Sequence, residues 1–155
     1  MNPATWILGV LLSIVPPEAH RHYETEPEVV DRYEALASVA YDPEERPVFR
    51  GDYARAKTAL PMLAIARFET GFLRKHELAP SSHGAWCYGQ IQIGEGMTRD
   101  GWSGPELLED REKCWRATLR VLRRSWMHCG ASPELALVAY TAGRCESKLG
   151  RNFSA

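Results

Sequence analysis

The stretch LPMLAIARFETG, residues 60–71, decides the fold of the central helix and places an acid near its end. Glu69 continues an apolar stripe formed by Met62, Ile65 and Ala66 at the spacing i, i+3, i+4 and i+7, which predicts one buried helical face. Burial and the partial negative charge of a helix C-terminus both raise the pKa of a carboxyl group. The stretch therefore predicts that Glu69 is a proton donor, unless the side chain turns outward at a frayed helix end.

The length and composition of the chain bound its organisation. With 155 residues and 45% apolar content, the chain can bury one core and is too short for two ordinary domains. We expect a mostly α domain at residues 53–155, preceded by an N-terminal docking extension at residues 1–52. A formal net charge of -1 gives no general reason to bind nucleic acid or an anionic membrane.

The four cysteines, Cys87, Cys114, Cys129 and Cys145, permit three disulfide pairings in an oxidising compartment. No C-x-x-C pair occurs, and the nearby histidines do not complete four ligands at a regular zinc-binding spacing. Structural thiols or disulfides are favoured over a metal site. We expect neither a metal nor a cofactor.

An apolar segment, WILGVLLSIV, lies at residues 6–15. It is shorter than the roughly twenty residues that a transmembrane helix needs, so we expect no stable membrane span. No Lys or Arg precedes it, and Pro16 and Pro17 follow where a signal peptidase prefers small residues. The segment is interpreted as an apolar helix that docks on the body of the protein or on a partner.

Helical periodicity recurs along the chain, and only one segment has the alternation of a short strand or extended turn. Asp52 is the expected N-cap of the central helix, and Ser132 and Gly143 are the expected start and stop of the last one. The strand-like segment is YGQIQI at residues 88–93. The other predicted helices span residues 27–40, 105–110, 111–127 and 133–142.

The helix predicted at residues 111–127 carries two stripes. Trp115, Leu119, Leu122 and Trp126 form the stripe that we expect to face the core. The other stripe is basic, and its arginines could hold phosphates or an anionic sugar polymer, although a solvated face explains them equally well. A nucleic-acid partner is therefore not expected. The basic stripe consists of Arg116, Arg120, Arg123 and Arg124.

Three motifs in order resemble those of the soluble-type lytic transglycosylases, which share the lysozyme-like fold. They are ALPMLAIARFETGF at residues 59–72, SSHGAWCYGQIQIG at 81–94 and ELALVAYTAGRC at 134–145. The resemblance covers about residues 58–144 and leaves the N-terminal region unexplained. It implies a lysozyme-like, mostly α single domain with a very small sheet or extended turn, acting on the glycan strands of peptidoglycan.

The first two motifs supply the acid and its neighbours. Glu69 matches the catalytic glutamate of the family, and Thr70 keeps a hydroxyl where the family usually has serine. In the second motif, Gln92 matches the family's glutamine and Gln90 precedes it in the same turn. The resemblance implies that Thr70, Gln90 and Gln92 bind substrate. Trp86, with the two residues after it, makes this motif longer than usual.

The third motif usually reads Ala-Tyr-Asn-Ala-Gly, and here Tyr140 matches its tyrosine. Thr141 replaces the asparagine and Arg144 replaces a common proline, changes that affect substrate contacts and leave the acid in place. Tyr140 could approach Glu69 or a sugar, although a purely structural tyrosine is an equal alternative. Trp86, Tyr88 and Trp102 could stack on sugar rings, but core packing accounts for aromatic residues more often.

The chemistry that the resemblance implies needs only one acid. Glycosidases normally use a second carboxylate, but Glu77, Glu95 and Asp100 stand in polar loops where a solvated surface is the default. In the family, the substrate's N-acetyl group stabilises the reacting centre. The same glutamate then deprotonates the 6-hydroxyl and gives a 1,6-anhydro product.

Two other functions stay open at this point. A hydrolytic muramidase could use the same scaffold, and a non-catalytic protein could keep it for glycan binding or as a structural virion component. Peptidoglycan lies outside the cytoplasm, so we expect delivery by a phage particle and action in the bacterial periplasm or cell wall. The alternative route is a bacterial secretion system. The N-terminal segment would then contact other virion or secretion-machine proteins.

Overall fold

The computed structural model describes residues 3–17, 25–93, 96–130 and 132–145. In these residues the protein is mostly helical, with a two-stranded antiparallel sheet, so the predicted fold class is confirmed. None of the described helices is both long enough and apolar enough to cross a membrane. The elements are α1 (Pro3–Ile14), α2 (Glu26–Tyr41), α3 (Ala54–Thr70), α4 (Lys75–Leu78), β1 (Ala85–Trp86), β2 (Ile91–Gln92), α5 (Gly104–Glu109), α6 (Arg111–His128) and α7 (Pro133–Ala142).

Helices α1 and α2 contribute to the same hydrophobic core as the helices that follow residue 53. Ile7 and Leu11 of α1 are fully buried, and the Tyr33 hydroxyl of α2 donates a hydrogen bond to the Val15 carbonyl oxygen at 3.1 Å. The apolar N-terminal segment thus docks on the body of the protein through one face. Trp6, beside the buried face, and Ile14, at the end of the helix, are exposed.

Helix α3 begins one residue later than Asp52 would place it, so the prediction of Asp52 as N-cap is wrong. Tyr53 occupies the N-cap position in a left-handed conformation, with φ at 57°. The reason is a tight turn in which the Ala54 N–H donates to the Gly51 carbonyl oxygen at 3.2 Å. At the other end the prediction is confirmed, because Gly71 adopts the left-handed conformation that ends a helix.

The small sheet is a hairpin in which Ala85 pairs with Gln92 and Trp86 pairs with Ile91. The expectation that only residues 88–93 form sheet is therefore wrong, because the partner strand lies before that segment. The strand in residues 88–93 is also shorter than the alternation suggested. Gln90 has a positive φ of 48°, and its N–H donates to the Cys87 carbonyl oxygen, so the turn extends to that residue.

Helix α6 presents the predicted apolar stripe to the core, with Trp115, Leu119 and Leu122 fully buried. The neighbouring α7 has Ser132 as N-cap, whose hydroxyl accepts from the Leu135 N–H, and it ends at Gly143 as predicted. Two disulfides, Cys87–Cys114 and Cys129–Cys145, join the hairpin to α6 and the end of α6 to the segment after α7.

Three of the four arginines in the basic stripe of α6 are partly buried and form ion pairs with one buried acid. Arg120 Nη2 lies 2.5 Å from the Glu45 carboxylate, and Arg116 and Arg123 approach the same carboxylate within 3.5 and 3.8 Å. Glu45 comes from the loop before α3 and is 2% exposed. These ion pairs hold that loop against α6, so the three arginines are explained by structure.

Candidate functional site

Glu69 lies in the last turn of α3, where the apolar stripe reaches the surface. Met62, Ile65 and Ala66 are buried beneath it, and the carboxylate itself is half-buried. Burial raises the pKa of Glu69 above its ordinary value of 4.5. No lysine or arginine in the described part of the chain forms an ion pair with it. A desolvated carboxylate without a counter-charge keeps its proton to a higher pH than an ordinary glutamate, which suits it to proton transfer.

The helix end that carries Glu69 is held in place by its neighbours. The Thr70 hydroxyl donates to the Ala66 carbonyl oxygen at 2.7 Å and accepts from the Phe72 N–H at 3.2 Å. Phe72 is buried between the rings of Tyr33 and Tyr88. Thr70, predicted to bind substrate, therefore points into the protein and holds the turn that follows the acid.

The hairpin provides the second wall of the site with Gln90 and Gln92. The Gln90 amide nitrogen donates to the Cys87 carbonyl oxygen at 3.0 Å and lies 3.5 Å from Nδ1 of His76. With that nitrogen engaged, the amide oxygen is the group that can accept a hydrogen bond from a ligand. Gln92 is exposed, so its amide can both donate and accept.

The hairpin approaches α6 and α7 closely at Gly89. A Cβ built on this glycine would lie 2.0 Å from the Thr118 hydroxyl oxygen and 3.0 Å from that of Tyr140. Only glycine fits at this position, because any larger residue would push the hairpin away from both helices. The Tyr140 hydroxyl uses the approach to donate a hydrogen bond to the Gly89 carbonyl oxygen at 2.6 Å.

Tyr140 and Thr141 of α7 form the third wall. Burial raises the pKa of Tyr140; a hydrogen bond with Thr118 offsets part of this shift and the negative charge of Glu69 adds to it, so the phenol stays protonated beside the acid. Its hydroxyl is committed to Gly89, so Tyr140 fixes the hairpin while its ring lines the site. Thr141 is exposed, and its hydroxyl donates to the Val138 carbonyl oxygen at 3.1 Å, which leaves its lone pairs for a ligand.

These walls enclose a cleft of about 240 Å³, which we call the Glu69 cleft. Five of the six predicted site residues line it, and Thr70 is the one that does not. Glu69 is the only carboxylate among the described residues that line it. The lining residues are Glu69, Ser81, His83, Ala85, Gln90, Gln92, Tyr140 and Thr141.

Sequence reasoning did not assign Ser81, His83 and Ala85 to the site. They belong to the loop before β1, and the β1–β2 pairing brings that loop to the cleft. The Ser81 hydroxyl accepts from the Ala85 N–H at 3.1 Å and so shapes the loop. The polar run SSHG, which opens the second motif, was the available signal, but it is equally typical of an ordinary turn.

The carboxylates that sequence proximity suggested as a second acid lie elsewhere. Glu77 is bound by Arg32 at 3.2 Å and by Arg111 at 2.9 Å, and Asp100 is bound by Arg120 at 2.8 Å. Ion pairing of this kind commits both carboxylates to structure. Glu95 lies outside the described residues.

The aromatic residues considered for sugar stacking are packed against protein. Trp86 lies against Gly104, Tyr88 is 2% exposed beneath the Arg32 guanidinium, and Trp102 lies 5.0 Å from the Arg120 guanidinium. None of the three lines the Glu69 cleft. Any sugar in that cleft would be recognised mainly by hydrogen bonds from amides and hydroxyls.

Across the described residues, no three side chains of His, Cys, Asp or Glu form a group that could hold a metal ion. No protein-family model, curated protein or solved structure matches the chain. Its function is therefore inferred from the chemistry of the Glu69 cleft and from the motif resemblance.

Proposed function

We propose that this protein is a peptidoglycan lytic transglycosylase in which Glu69 acts first as acid and then as base. The observation that carries the proposal is a half-buried carboxylate with a raised pKa, in a cleft whose other described lining groups include no second acid. Two amides and a threonine hydroxyl surround it, which suits a neutral, hydroxyl-rich ligand such as an N-acetyl sugar.

In the proposed first step, protonated Glu69 gives its proton to the glycosidic oxygen between N-acetylmuramic acid and N-acetylglucosamine. The bond from C1 to that oxygen breaks, and the substrate's own N-acetyl group stabilises the positive charge that develops at C1. This assistance replaces the second carboxylate that most glycosidases use. A raised pKa favours the step because it keeps Glu69 protonated at a higher pH.

In the proposed second step, the Glu69 carboxylate removes the proton of the muramoyl 6-hydroxyl, and O6 bonds to C1. The product is a 1,6-anhydro sugar, and Glu69 returns to its protonated form. No water is consumed, so no base is needed to activate one. Gln90 and Gln92 are proposed to orient the N-acetyl sugar, and Thr141 to accept one of its hydrogen bonds.

The test is digestion of purified peptidoglycan by the wild-type protein and by Glu69→Gln, followed by mass spectrometry of the released muropeptides. We expect anhydro products from the wild type, lighter by one water than hydrolytic ones, and a loss of at least about 100-fold in the variant. Glu34→Gln, a change at an exposed position of α2, is the matched control and should keep full activity.

Two results would contradict the proposed transglycosylase function and indicate another one. Hydrated products would indicate a muramidase, and Glu95→Gln would then test whether that residue supplies the water-activating base. Binding to peptidoglycan without release of any product would indicate a glycan-binding or structural protein. The products of cleavage thus separate the three functions with one assay.

For delivery, we propose that the enzyme travels in a phage particle and opens the cell wall during genome entry, with a bacterial secretion system as the alternative. Trp6 and Ile14, the exposed large apolar side chains of α1, are the groups available to contact other particle proteins. Replacing both with serine should leave cleavage of purified peptidoglycan intact and lower incorporation into particles. Unchanged incorporation would exclude these two side chains as the contact.

A further inference from the structure

A second cleft of about 350 Å³ adjoins the Glu69 cleft. Gln92 lines both, so the two clefts are neighbours on either side of that residue. The Glu69 cleft alone is small for an oligosaccharide, since ligand pockets usually measure about 300–1,000 Å³. A glycan bound at Glu69 would therefore extend, or direct a substituent, into the second cleft.

The second cleft contains two arginines that form no ion pair within the described part of the chain. Arg99 and Arg124 both line it, and neither forms an ion pair with any described carboxylate. The other arginines of the basic stripe differ from Arg124 in this respect, because Arg116, Arg120 and Arg123 all form ion pairs with Glu45. Arg124 thus departs from the structural role of the rest of the basic stripe.

The charges around these two arginines do not cancel. Asp100 is the only described acid lining the second cleft, and its carboxylate is bound by Arg120 at 2.8 Å. Burial and the nearby positive charge of Arg99 lower the pKa of Arg124, and the negative charge of Asp100 offsets only part of this shift. Two guanidinium groups that repel each other are stabilised by an anion, and a carboxylate matches their planar, two-pronged geometry.

We propose that Arg99 and Arg124 form a subsite that binds a carboxylate carried by the glycan substrate, such as that of a peptide stem. This inference rests on the proposed function for the class of substrate, and it adds that the enzyme selects strands that keep their anionic substituents. The Thr98 hydroxyl lines the same cleft and accepts from the Trp102 N–H at 3.0 Å, which helps to fix the loop that carries Arg99.

The test measures binding in the Glu69→Gln background, so that cleavage does not interfere. Two probes are titrated by calorimetry: a tetrasaccharide muropeptide with free carboxylates, and the same molecule with its carboxylates converted to methylamides. We expect the free acid to bind about tenfold more tightly than the amide, and Arg124→Gln or Arg99→Gln to remove that difference. Arg124→Lys should retain part of it, because the positive charge remains.

Arg50→Gln is the matched control, since this exposed arginine lines neither cleft. Equal binding of the two probes by the protein with both arginines, or no binding of either, would overturn the subsite. The same holds if the arginine variants weaken both probes equally. Preferential binding of the free acid that is lost in the variants supports the subsite even if the digestion assay yields no anhydro product. The failure of this inference and that of the proposed function are thereby distinguished.

Discussion

Two glutamates of this protein are shielded from water, but their electrostatic surroundings differ. Glu45 is 2% exposed and meets three arginines of α6, whereas Glu69 is half-buried and meets none in the described structure. The charge of Glu45 is balanced and serves to hold a loop. The charge of Glu69 is unbalanced, so burial raises its pKa. The difference shows that a carboxylate's surroundings, more than its burial alone, indicate whether it has a structural or a chemical role.

The largest expected effect on stability comes from breaking the Glu45 cluster. Glu45→Gln should lower the free energy of unfolding by about 2–3 kcal/mol. The value lies below that of a fully buried pair, because the three arginines are 20–29% exposed and keep other partners. Urea denaturation measures it, and Glu44→Gln at the exposed neighbouring position should change little. A loss equal to that of the control would mean that the cluster does not stabilise the fold.

An intermediate effect on stability is expected at the wall of the Glu69 cleft, which is held by a neutral hydrogen bond and not by ion pairs. Tyr140→Phe removes the donor to the Gly89 carbonyl oxygen and should cost about 1 kcal/mol. The loss should be insensitive to salt, since no charge pair is broken. Thermal unfolding at low and high ionic strength checks this, with Tyr53→Phe at an exposed ring as control. A strong salt dependence would contradict this view of the wall.

The smallest expected effect on stability is that of Glu69→Gln, and its sign is opposite to that of Glu45→Gln. The folded-state pKa of Glu69 is raised, so ionisation destabilises the fold as pH rises from the ordinary value of 4.5 through the raised one. Glu69→Gln removes that cost and should be more stable than the wild type by less than about 1 kcal/mol at neutral pH. The difference should vanish well below pH 4.5.

Denaturation of both proteins across a pH series measures this difference. A variant less stable than the wild type at neutral pH would mean that Glu69 has a structural partner. Together with the activity assay, the two glutamate substitutions separate a structural role from a chemical one. Glu45→Gln should cost stability, and Glu69→Gln should cost activity.

Much of the fold could be predicted from the sequence because its signals are local. The stripe that leads to Glu69, the stop at Gly71 and the cap at Ser132 depend on side chains a few residues apart and on backbone hydrogen bonds within one turn. The exception at Asp52 has a local cause as well. Tyr53 adopts a left-handed conformation that residue type alone does not favour, and this shifts the helix start by one position.

The chemistry of the candidate site could be predicted from the sequence, but the full set of residues that line it could not. Glu69, Gln90, Gln92, Tyr140 and Thr141 line one cleft, as the motifs suggested. Thr70 follows Glu69 in sequence, but adjacent residues of a helix point about 100° apart around its axis. Thr70 therefore faces the interior. Motif position alone did not reveal that its hydroxyl is used within the turn.

The sequence by itself determined where the longer helices lie, which of their faces are apolar and which acid ends the central stripe, but it did not predict the short helix α4. Only the tertiary structure decided that Arg120 meets Glu45 from 75 residues away, while Arg124, one turn along, meets no described acid. It also chose one pairing of the cysteines among three. The physical reason is that periodicity and capping act within a few residues, whereas charge pairing and cleft lining depend on the packing of distant segments.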